Sequence, residues 1–492
     1  MASVKVDYPQ ENSQGSEWLR SQVVAKIYSG DEHIANKLTQ AQLNWQFYNN
    51  QHWKEHNDKL LSFNYCRALI DRINTFFAGK DGFEVNIENL YGDAVPEEIE
   101  KAIENFLLYN WRKNRKPLLF QKILQTGGIT GDAYIFLYPN MVEKTIDYVL
   151  LDSRNTVPVF ENGNYSEVVK YRIVTPLNAH DKGYVSKIEE YEKGKKSTFY
   201  VKDTKPDAQK FEFVEQVYDI DFIPIVHIEN VAMSDKYGGA SDIKDIVKLN
   251  KFFNEMAEDV KDVVDYHASP VTVITGGTVG NLKRGLGEIW SGLPAEAQVF
   301  NLELNTDMAA SMNFMSLMRE AMHDLAGVPQ EVLSKVQHIS NTSAAALNML
   351  YQSIVQAADK KALTYGEGLT RLHRYTMILA TKYLQDHPLI GKLPEAARTD
   401  AKTFFNQYEA VPVFKYNLPV DRKSMLEELD IELRLQIASR REAMERLGKR
   451  NIQLIEGQIS SDKEENVKYQ KDLSEAMPKP ASASSTPKSP SA

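Results

Sequence analysis

The pattern of apolar and polar positions changes several times along the chain. Residues 15–80 have helical periodicity and many aromatic side chains, and a glycine-containing break follows at 79–82. Pro96 begins another helical stretch, with acidic residues in its first turn and basic residues at its end, as the helix dipole favours. From 132 to 229 short β-type runs alternate with turn residues, and Asn162-Gly163 is a predicted hairpin turn. The pattern predicts entry helices followed by antiparallel strands.

Long helices dominate the second half of the chain. Residues 242–267 combine one apolar stripe with a face dense in Asp, Glu and Lys, and predict a helix roughly 40 Å long that Ser241 can cap. A glycine-rich β-type unit follows, too small to fold alone. The helix predicted at 307–326 carries five methionines at helical spacing, which by itself is typical of a core. Residues 403–418 predict a strand pair around Pro412.

The helical pattern stops abruptly at Gly327-Val328-Pro329 and resumes at Ser343 in a helix of some forty residues. The intervening segment has no apolar periodicity and is expected to move. Its polar side chains include Lys335, Gln337, His338 and Asn341. Taken alone, these four residues are typical of an ordinary exposed connector. Charged helices are predicted near the C-terminus.

Composition limits the possible functions. The 492 residues are 42% hydrophobic and 25% charged, an ordinary balance for a soluble protein of two or more domains. A net charge of −9 argues against static binding of nucleic acid, which depends on Lys and Arg contacts with phosphates. The single cysteine, Cys66, excludes an internal disulfide framework and a multi-cysteine metal site. Without a signal pattern or a membrane-length apolar run, we expect an intracellular, unprocessed, soluble chain.

Two short motifs suggest chemistry. His52, Glu55 and His56 form an H-x-x-E-H string that could bind zinc with Glu55 as base, but five residues match easily by chance and we favour a solvated helix face. The glycines at 127–131 could cradle a phosphate, but their order is helix, loop, strand, the reverse of a nucleotide loop. We interpret them as a helix C-cap and turn. With no legible nucleophile set, the sequence predicts no enzyme, no cofactor and no metal.

The order of elements resembles a known family. A G-x-S step at Gly239 is followed by a long helix containing Asn254, then a Val/Ile strand ending at Gly276. A second helix, the G-V-P stop and the helix start at 343–347 come next, and this succession resembles the portal proteins of tailed bacteriophages. The run Ser439-Arg-Arg-Glu-Ala443 is similar to the passage between the wing and crown domains of that family. The resemblance covers roughly residues 20–460, with Ala344 where many members have Gly.

The resemblance implies an α+β portal fold with a helical and β wing, a two-helix stem, a small β-containing clip, a tunnel loop with a long helix, and a C-terminal helical crown. The implied divisions are the N-terminal helices and wing (1–237), stem helix one (238–267), clip (268–306), stem helix two (307–326), tunnel loop (327–342), long helix and wing return (343–420), crown (421–475) and disordered tail (476–492).

The implied function is a ring of twelve subunits at one capsid vertex, through which double-stranded DNA passes without sequence specificity during packaging and ejection. The implied partners are other copies of the chain, the terminase, head-completion or adaptor proteins, and the major capsid and scaffold proteins, with no membrane. The implied location is the virion, and the host cytoplasm during assembly. Two alternatives stay open: a metal-dependent hydrolase using His52, Glu55 and His56, and a non-viral oligomeric scaffold with the same helix-tip-helix layout.

The resemblance also implies roles for particular side chains. Lys335, Gln337, His338 and Asn341 would touch DNA phosphates from the tunnel loop. The stem helix would line the channel with Lys248, Lys251, Glu255, Glu258, Lys261 and Asp262. The clip would present Lys283, Arg284 and Trp290 for docking, although the two cations could instead face the channel or the solvent.

Overall fold

The structure, a computed structural model, describes part of the chain. The described residues are 30–51, 62–79, 82–161, 164–177, 183–202, 209–234, 236–268, 272–276, 296–301, 308–329, 344–416, 422–447, 452, 455–463, 465 and 468. They belong to two compact units, Met1–Leu418 and Pro419–Ala492.

Helices form the framework of the first unit. They are α1 (Glu32–Tyr48), α2 (Tyr65–Ala78), α3 (Glu97–Lys113), α4 (Lys116–Thr130), α5 (Val247–Ala268), α6 (Met308–Ala326), α7 (Ala344–Tyr383), α8 (Glu395–Thr399) and α9 (Ala401–Gln407). A 3₁₀ turn at Ile390–Lys392 precedes α8. In the second unit, α10 (Arg422–Arg434) and α11 (Arg440–Arg446) are joined by the ion pair between Arg446 and Glu432.

The strands of the described residues form four antiparallel sheets. They are β1 (Phe83–Asn89), β2 (Asp132–Asn140), β3 (Thr145–Leu151), β4 (Thr156–Phe160), β5 (Val168–Pro176), β6 (Ser186–Glu192), β7 (Lys195–Val201), β8 (Phe211–Val217), β9 (Ile225–Glu229), β10 (Thr272–Thr275), β11 (Gln298–Asn301) and β12 (Tyr408–Phe414). The sheet orders are β1-β12, β10-β11, β3-β2-β9 and β4-β5-β6-β7-β8.

The central core surrounds the long helix α7. Apolar residues of α2, α3, α4, α5, α6 and α7 join the inner face of β2 and β9 in one cluster of buried side chains. Trp111 and Phe77 are among its largest members, and both are at most 1% exposed. Two smaller clusters lie mainly under the five-stranded sheet and between β2 and that sheet. The base of α5 and α6 therefore inserts into the same core that holds the middle of α7.

Two β predictions need correction. Residues 403–418 are not a strand pair, because Ala401–Gln407 is helical and β12 pairs with the distant β1, placing Val85 opposite Pro412. Proline cannot donate a backbone hydrogen bond, and a two-stranded sheet tolerates it because both strands are edges. The sequence reading also missed β1 and β6. In β6, Glu190 is buried where an alternating pattern would show an apolar residue, and the Arg172 guanidinium 2.6 Å away compensates its charge.

Two helix boundaries also differ from the predictions. The helix predicted to start at 242 begins at Val247, which makes it 22 residues and about 33 Å long. The residues before it are tied to α4, since Asp242 N donates to Gly128 O over 2.9 Å. The predicted helix C-cap within 127–131 is confirmed, but α4 extends past Gly127 and Gly128 to Thr130 before it ends. Gly131, with φ of +93°, is the left-handed cap.

Candidate functional site

The paired helices α5 and α6 form the candidate site. Strand β10 follows α5 and strand β11 precedes α6 along the chain. Because β10 and β11 are antiparallel, the two helices run in opposite directions. Phe253 and Ala257 of α5 are buried, as are Met318 and Met322 of α6. The methionine stripe therefore serves partly as core, as its spacing alone suggested.

The six predicted channel-lining residues all lie on α5 and are exposed or half-buried, none of them in the core. They are Lys248, Lys251, Glu255, Glu258, Lys261 and Asp262. Lys251 lies 3.8 Å from Glu255, and Lys261 lies 2.9 Å from Asp265, in pairs one helical turn apart. Such exposed pairs contribute little to stability. The six residues comprise three cations and three anions, and the exposed Asp259 and Asp265 beside them make this face of α5 net acidic.

Two asparagines attach α5 to the start of α2. Asn250 Oδ1 accepts from Tyr65 N over 2.8 Å and from Cys66 N over 3.2 Å, and its amide donates to Phe63 O. Asn254 accepts from Phe63 N and donates to Phe63 O. Both asparagines are about 1% exposed, and they satisfy backbone groups that no helix or sheet pairs. They hold the base of α5 at a defined position against α2.

A buried ion pair joins the root of α5 to the middle of α7. Lys361 Nζ lies 2.7 Å from Asp242 Oδ2 and 2.6 Å from Asn230 Oδ1, and the Lys361 side chain is 2% exposed. Asn230 Nδ2 donates to Asp242 Oδ1 over 2.7 Å, and the Tyr365 hydroxyl donates to Asn230 Oδ1 over 3.1 Å. Because each charge has a partner and further hydrogen bonds, the ions are tolerated in the core.

The packing around this junction depends on Gly128. A Cβ placed on Gly128 would lie 2.7 Å from Asp242 Oδ2, closer than side chains approach. The absence of a side chain lets α4 approach the root of α5, so that the Gly128 carbonyl accepts a hydrogen bond from Asp242 N. We call Asn230, Asp242, Lys361 and Tyr365 the root junction.

A second buried charge, Asp132, begins β2 opposite the last residue of β9. Asp132 Oδ2 is 2.7 Å from Lys37 Nζ, and its Oδ1 contacts His227 Nε2 at 2.8 Å and accepts from Gly239 N at 2.9 Å. Burial alone would raise the pKa of Asp132, but the Lys37 ammonium and the His227 hydrogen bond outweigh it, and the net pKa is lowered. Asp132 thus holds Gly239 within the connection from β9 to α5, and the root junction holds that connection at Asn230 and Asp242.

The predicted stop at Gly327-Val328-Pro329 has the geometry of a Schellman motif. Val328 N donates to His323 O over 3.1 Å, Gly327 N donates to Asp324 O over 3.1 Å, and Gly327 has φ of +65°. The Val328 side chain is buried, and His323 Nδ1 lies 3.0 Å from Val328 O. Burial lowers the pKa of His323, which favours the neutral ring. The segment leaving α6 therefore starts from an ordered position.

Several predicted site residues lie outside the described residues, and their placement stays a prediction. These are the loop residues Lys335, Gln337, His338 and Asn341, the clip residues Lys283, Arg284 and Trp290, and the H-x-x-E-H residues His52, Glu55 and His56. Across the portion of the chain that is described, no group of three or more His, Cys, Asp or Glu side chains could hold a metal ion. None of the helices in the described ranges combines the length and apolar character that a membrane crossing needs.

The sequence reading missed the root junction and the asparagine contacts, although a signal was present. Lys361 occupies a core position of α7, one turn after buried Ala358 and one turn before buried Tyr365. Asn250 interrupts the apolar stripe of α5 in the same way. A polar residue at a core position of a helix indicates a buried partner, but it does not identify that partner.

Comparison with known proteins adds an independent finding. A family model described as "Phage portal protein, SPP1 Gp6-like" matches residues 17–468. Two solved structures are similar to the chain: "Neck of empty GTA particle computed with C6 symmetry" and "Virion of native gene transfer agent (GTA) particle". Each is 14% identical and aligns 78% of this chain with 89% of its own, with TM-scores of 0.43 and 0.40. No curated protein sequence matches the chain.

Proposed function

The chain belongs to the SPP1 Gp6-like phage portal family and is a portal protein of the head–tail connector type, and from this premise we propose that its copies form a ring, of twelve subunits in the capsid, that conducts double-stranded DNA. The ring occupies one vertex of the capsid. DNA enters through it during packaging and leaves through it during ejection. The chain acts as a conduit and docking site, and catalysis belongs to the terminase.

The charge balance on the exposed face of α5 carries the proposal. Its three cations, Lys248, Lys251 and Lys261, lie among five exposed or half-buried anions, Glu255, Glu258, Asp259, Asp262 and Asp265, on a helix whose other side is anchored in the core. Cyclic symmetry would turn each exposed side chain into a circle of charge around a channel. A strongly basic surface would hold DNA, since roughly 6–10 firm phosphate contacts make affinity vary about a thousandfold or more with salt. A face without excess positive charge allows DNA to slide.

The anchoring of α5 and α6 supports the same role. A conduit must keep its wall in place while DNA moves, and the root junction ties α5 to α7 through a 2.7 Å ion pair. The Schellman motif at Gly327 fixes where the following segment leaves α6. From that point we propose that Lys335, Gln337, His338 and Asn341 make brief phosphate contacts. Lys283, Arg284 and Trp290 are the proposed docking residues for the terminase and later for head-completion proteins.

Assembly on the capsid requires further partners. We propose that the ring contacts the major capsid and scaffold proteins, and that subunits assemble in the host cytoplasm before they enter the virion. Neither role involves a cofactor or a membrane.

Electron microscopy of the purified full chain tests the central proposal. Negatively stained particles should be closed rings with a central hole wide enough for duplex DNA. Compact monomers at micromolar concentration would refute it. A chelator in the same preparation should leave the particles unchanged, whereas a metal-dependent hydrolase using His52, Glu55 and His56 would lose its activity.

Deleting residues 333–341 tests the role of the loop. The deletion should leave ring assembly intact and reduce the amount of DNA packaged or retained in particles. A variant in which Lys335 and His338 alone are replaced by Ala serves as the comparison, because it keeps the loop length. Normal packaging by the deletion variant would show that the loop does not act on DNA.

A further inference from the structure

The root junction brings a lysine amine and a side-chain amide into direct contact. Lys361 Nζ lies 2.6 Å from Asn230 Oδ1. Because a carbonyl bond is about 1.2 Å long, Nζ lies within about 3.8 Å of the carbonyl carbon, Asn230 Cγ. Nucleophiles attack carbonyl carbons from separations of about 3–3.5 Å. The two side chains are therefore placed as the reactants of an amide bond.

The hydrogen bonds around Asn230 fix which end of its amide carries the oxygen. Nδ2 donates to Asp242 Oδ1 over 2.7 Å and to Ala240 O over 3.0 Å. Oδ1 faces two donors, Lys361 Nζ and the Tyr365 hydroxyl. Since donors surround one end and acceptors surround the other, the amide has one favoured orientation. The nitrogen that would leave thus faces a carboxylate.

Asp242 touches both nitrogens of such a reaction. Its Oδ2 is 2.7 Å from Lys361 Nζ, and its Oδ1 is 2.7 Å from Asn230 Nδ2. A carboxylate in this position can take a proton from the amine and give it to the leaving nitrogen. The Tyr365 hydroxyl, 3.1 Å from Asn230 Oδ1, can stabilise the negative charge that develops on that oxygen during attack.

The site is also closed to water. Asn230, Lys361 and Tyr365 are at most 1% exposed, and the Asp242 side chain is 7% exposed. Helix α4 forms one wall, because a Cβ on Gly127 would collide with the Tyr365 hydroxyl. Excluding water leaves the lysine amine as the nucleophile in contact with the amide and suppresses hydrolysis.

We propose that Lys361 and Asn230 join through an amide bond between their side chains, with Asp242 as the catalytic carboxylate. The Nζ lone pair forms the bond to Cγ, and the Cγ–Nδ2 bond breaks with its electron pair on nitrogen. Asp242 transfers two of the three ammonium protons to Nδ2 in turn, so ammonium leaves and Asp242 ends as a carboxylate. The third proton stays on the new amide. The step needs no oxidant, and the ion pair of the root junction is its reactant state.

The bond would make the attachment of β9 to α7 covalent. Asn230 directly follows β9, and Lys361 lies 131 residues later along the chain. Closing so long a loop restricts the unfolded chain and should raise the thermal midpoint. The reaction takes place within one chain, so it does not depend on the proposed ring.

Mass spectrometry of the purified full chain tests the bond. The denatured wild-type chain should weigh about 17 Da less than its open form, which is the mass of ammonia. After tryptic digestion, segments 211–236 and 361–371 should appear as one branched product. Lys361→Arg keeps the cation without a primary amine and should give neither signal. Lys360→Arg, at the exposed neighbouring position, is the matched control and should give both.

Asp242→Asn tests the catalytic role separately. A chain with this substitution that circular dichroism shows to be folded should keep its full mass, because no carboxylate accepts the ammonium protons. Bond formation in that variant would refute the role of Asp242. A wild-type chain of full mass, or a loss of ammonia without the branched product, would overturn the bond itself. Neither outcome bears on the ring, which microscopy tests.

Discussion

The root junction predicts a large effect from a single substitution, Lys361→Met. Methionine keeps most of the side-chain volume but leaves Asp242 buried without its cation, 2.7 Å from where the ammonium was. Breaking one partner of a buried ion pair costs about 3–5 kcal/mol. For the unit ending at Leu418, an unfolding entropy of roughly 2.1 cal/mol/K per residue makes each kcal/mol worth about 1 °C. The thermal midpoint should therefore fall by about 3–6 °C.

Differential scanning calorimetry of the full chain measures this shift. Two further variants test whether the unpaired charge of Asp242 causes it. The double variant Lys361→Met with Asp242→Asn removes both charges and should recover part of the loss, because no ion is left unpaired. Lys402→Met is the control, since Lys402 lies 2.5 Å from Asp221 in an exposed pair and should shift the midpoint by under about 1 °C. A Lys361→Met midpoint within about 1 °C of wild type would refute the structural role of the junction.

Three further predictions follow from buried contacts. Asn250→Ala should cost about 1–3 kcal/mol of unfolding free energy in urea titration by leaving buried backbone groups unpaired, and an unchanged value would show that water replaces the amide. Burial lowers the pKa of His373 to about 4. The neutral ring should therefore contribute about 3 kcal/mol to the free energy of unfolding above pH 6.5, and this contribution is lost as the pH falls through 4. His373→Gln should flatten that part of the stability–pH curve, and identical slopes for the variant and the wild type would contradict the prediction. Gly128→Ala should lower the thermal midpoint by about 1–3 °C, because its Cβ meets Asp242 and such overpacking costs about 1–3 kcal/mol, and an unchanged midpoint would mean that α4 shifts freely.

The periodic elements were predictable because their signals are local. The methionine spacing predicted α6 close to its observed bounds, and the Ala-rich run predicted α7. Strand β6 was missed because Glu190 occupies one of its buried positions, and only the neighbouring strand supplies Arg172 to pair with it. Strand β1 was missed because its partner β12 lies far along the chain. Short strands depend on such distant partners more than helices do.

The candidate site likewise combines features that local sequence patterns predict with features that only the fold brings together. The charges of α5 and the stop at Gly327 are legible in the sequence, since a helix face and a Gly-Val-Pro break are local patterns. The partner of Lys361 is not legible, because Asp242 lies 119 residues earlier. Nor does the sequence show that Phe252 and Phe314 touch.

The amino-acid sequence by itself determined the succession of elements: entry helices, a β-rich region, two antiparallel long helices, a glycine-proline stop and a forty-residue helix. Only the tertiary structure decided where α5 begins, which side chains anchor it, and which apolar residues its packing leaves exposed. The physical reason is that helical periodicity depends on neighbours three and four residues away, whereas burial of a charge such as Lys361 depends on a partner that the fold brings within 2.7 Å.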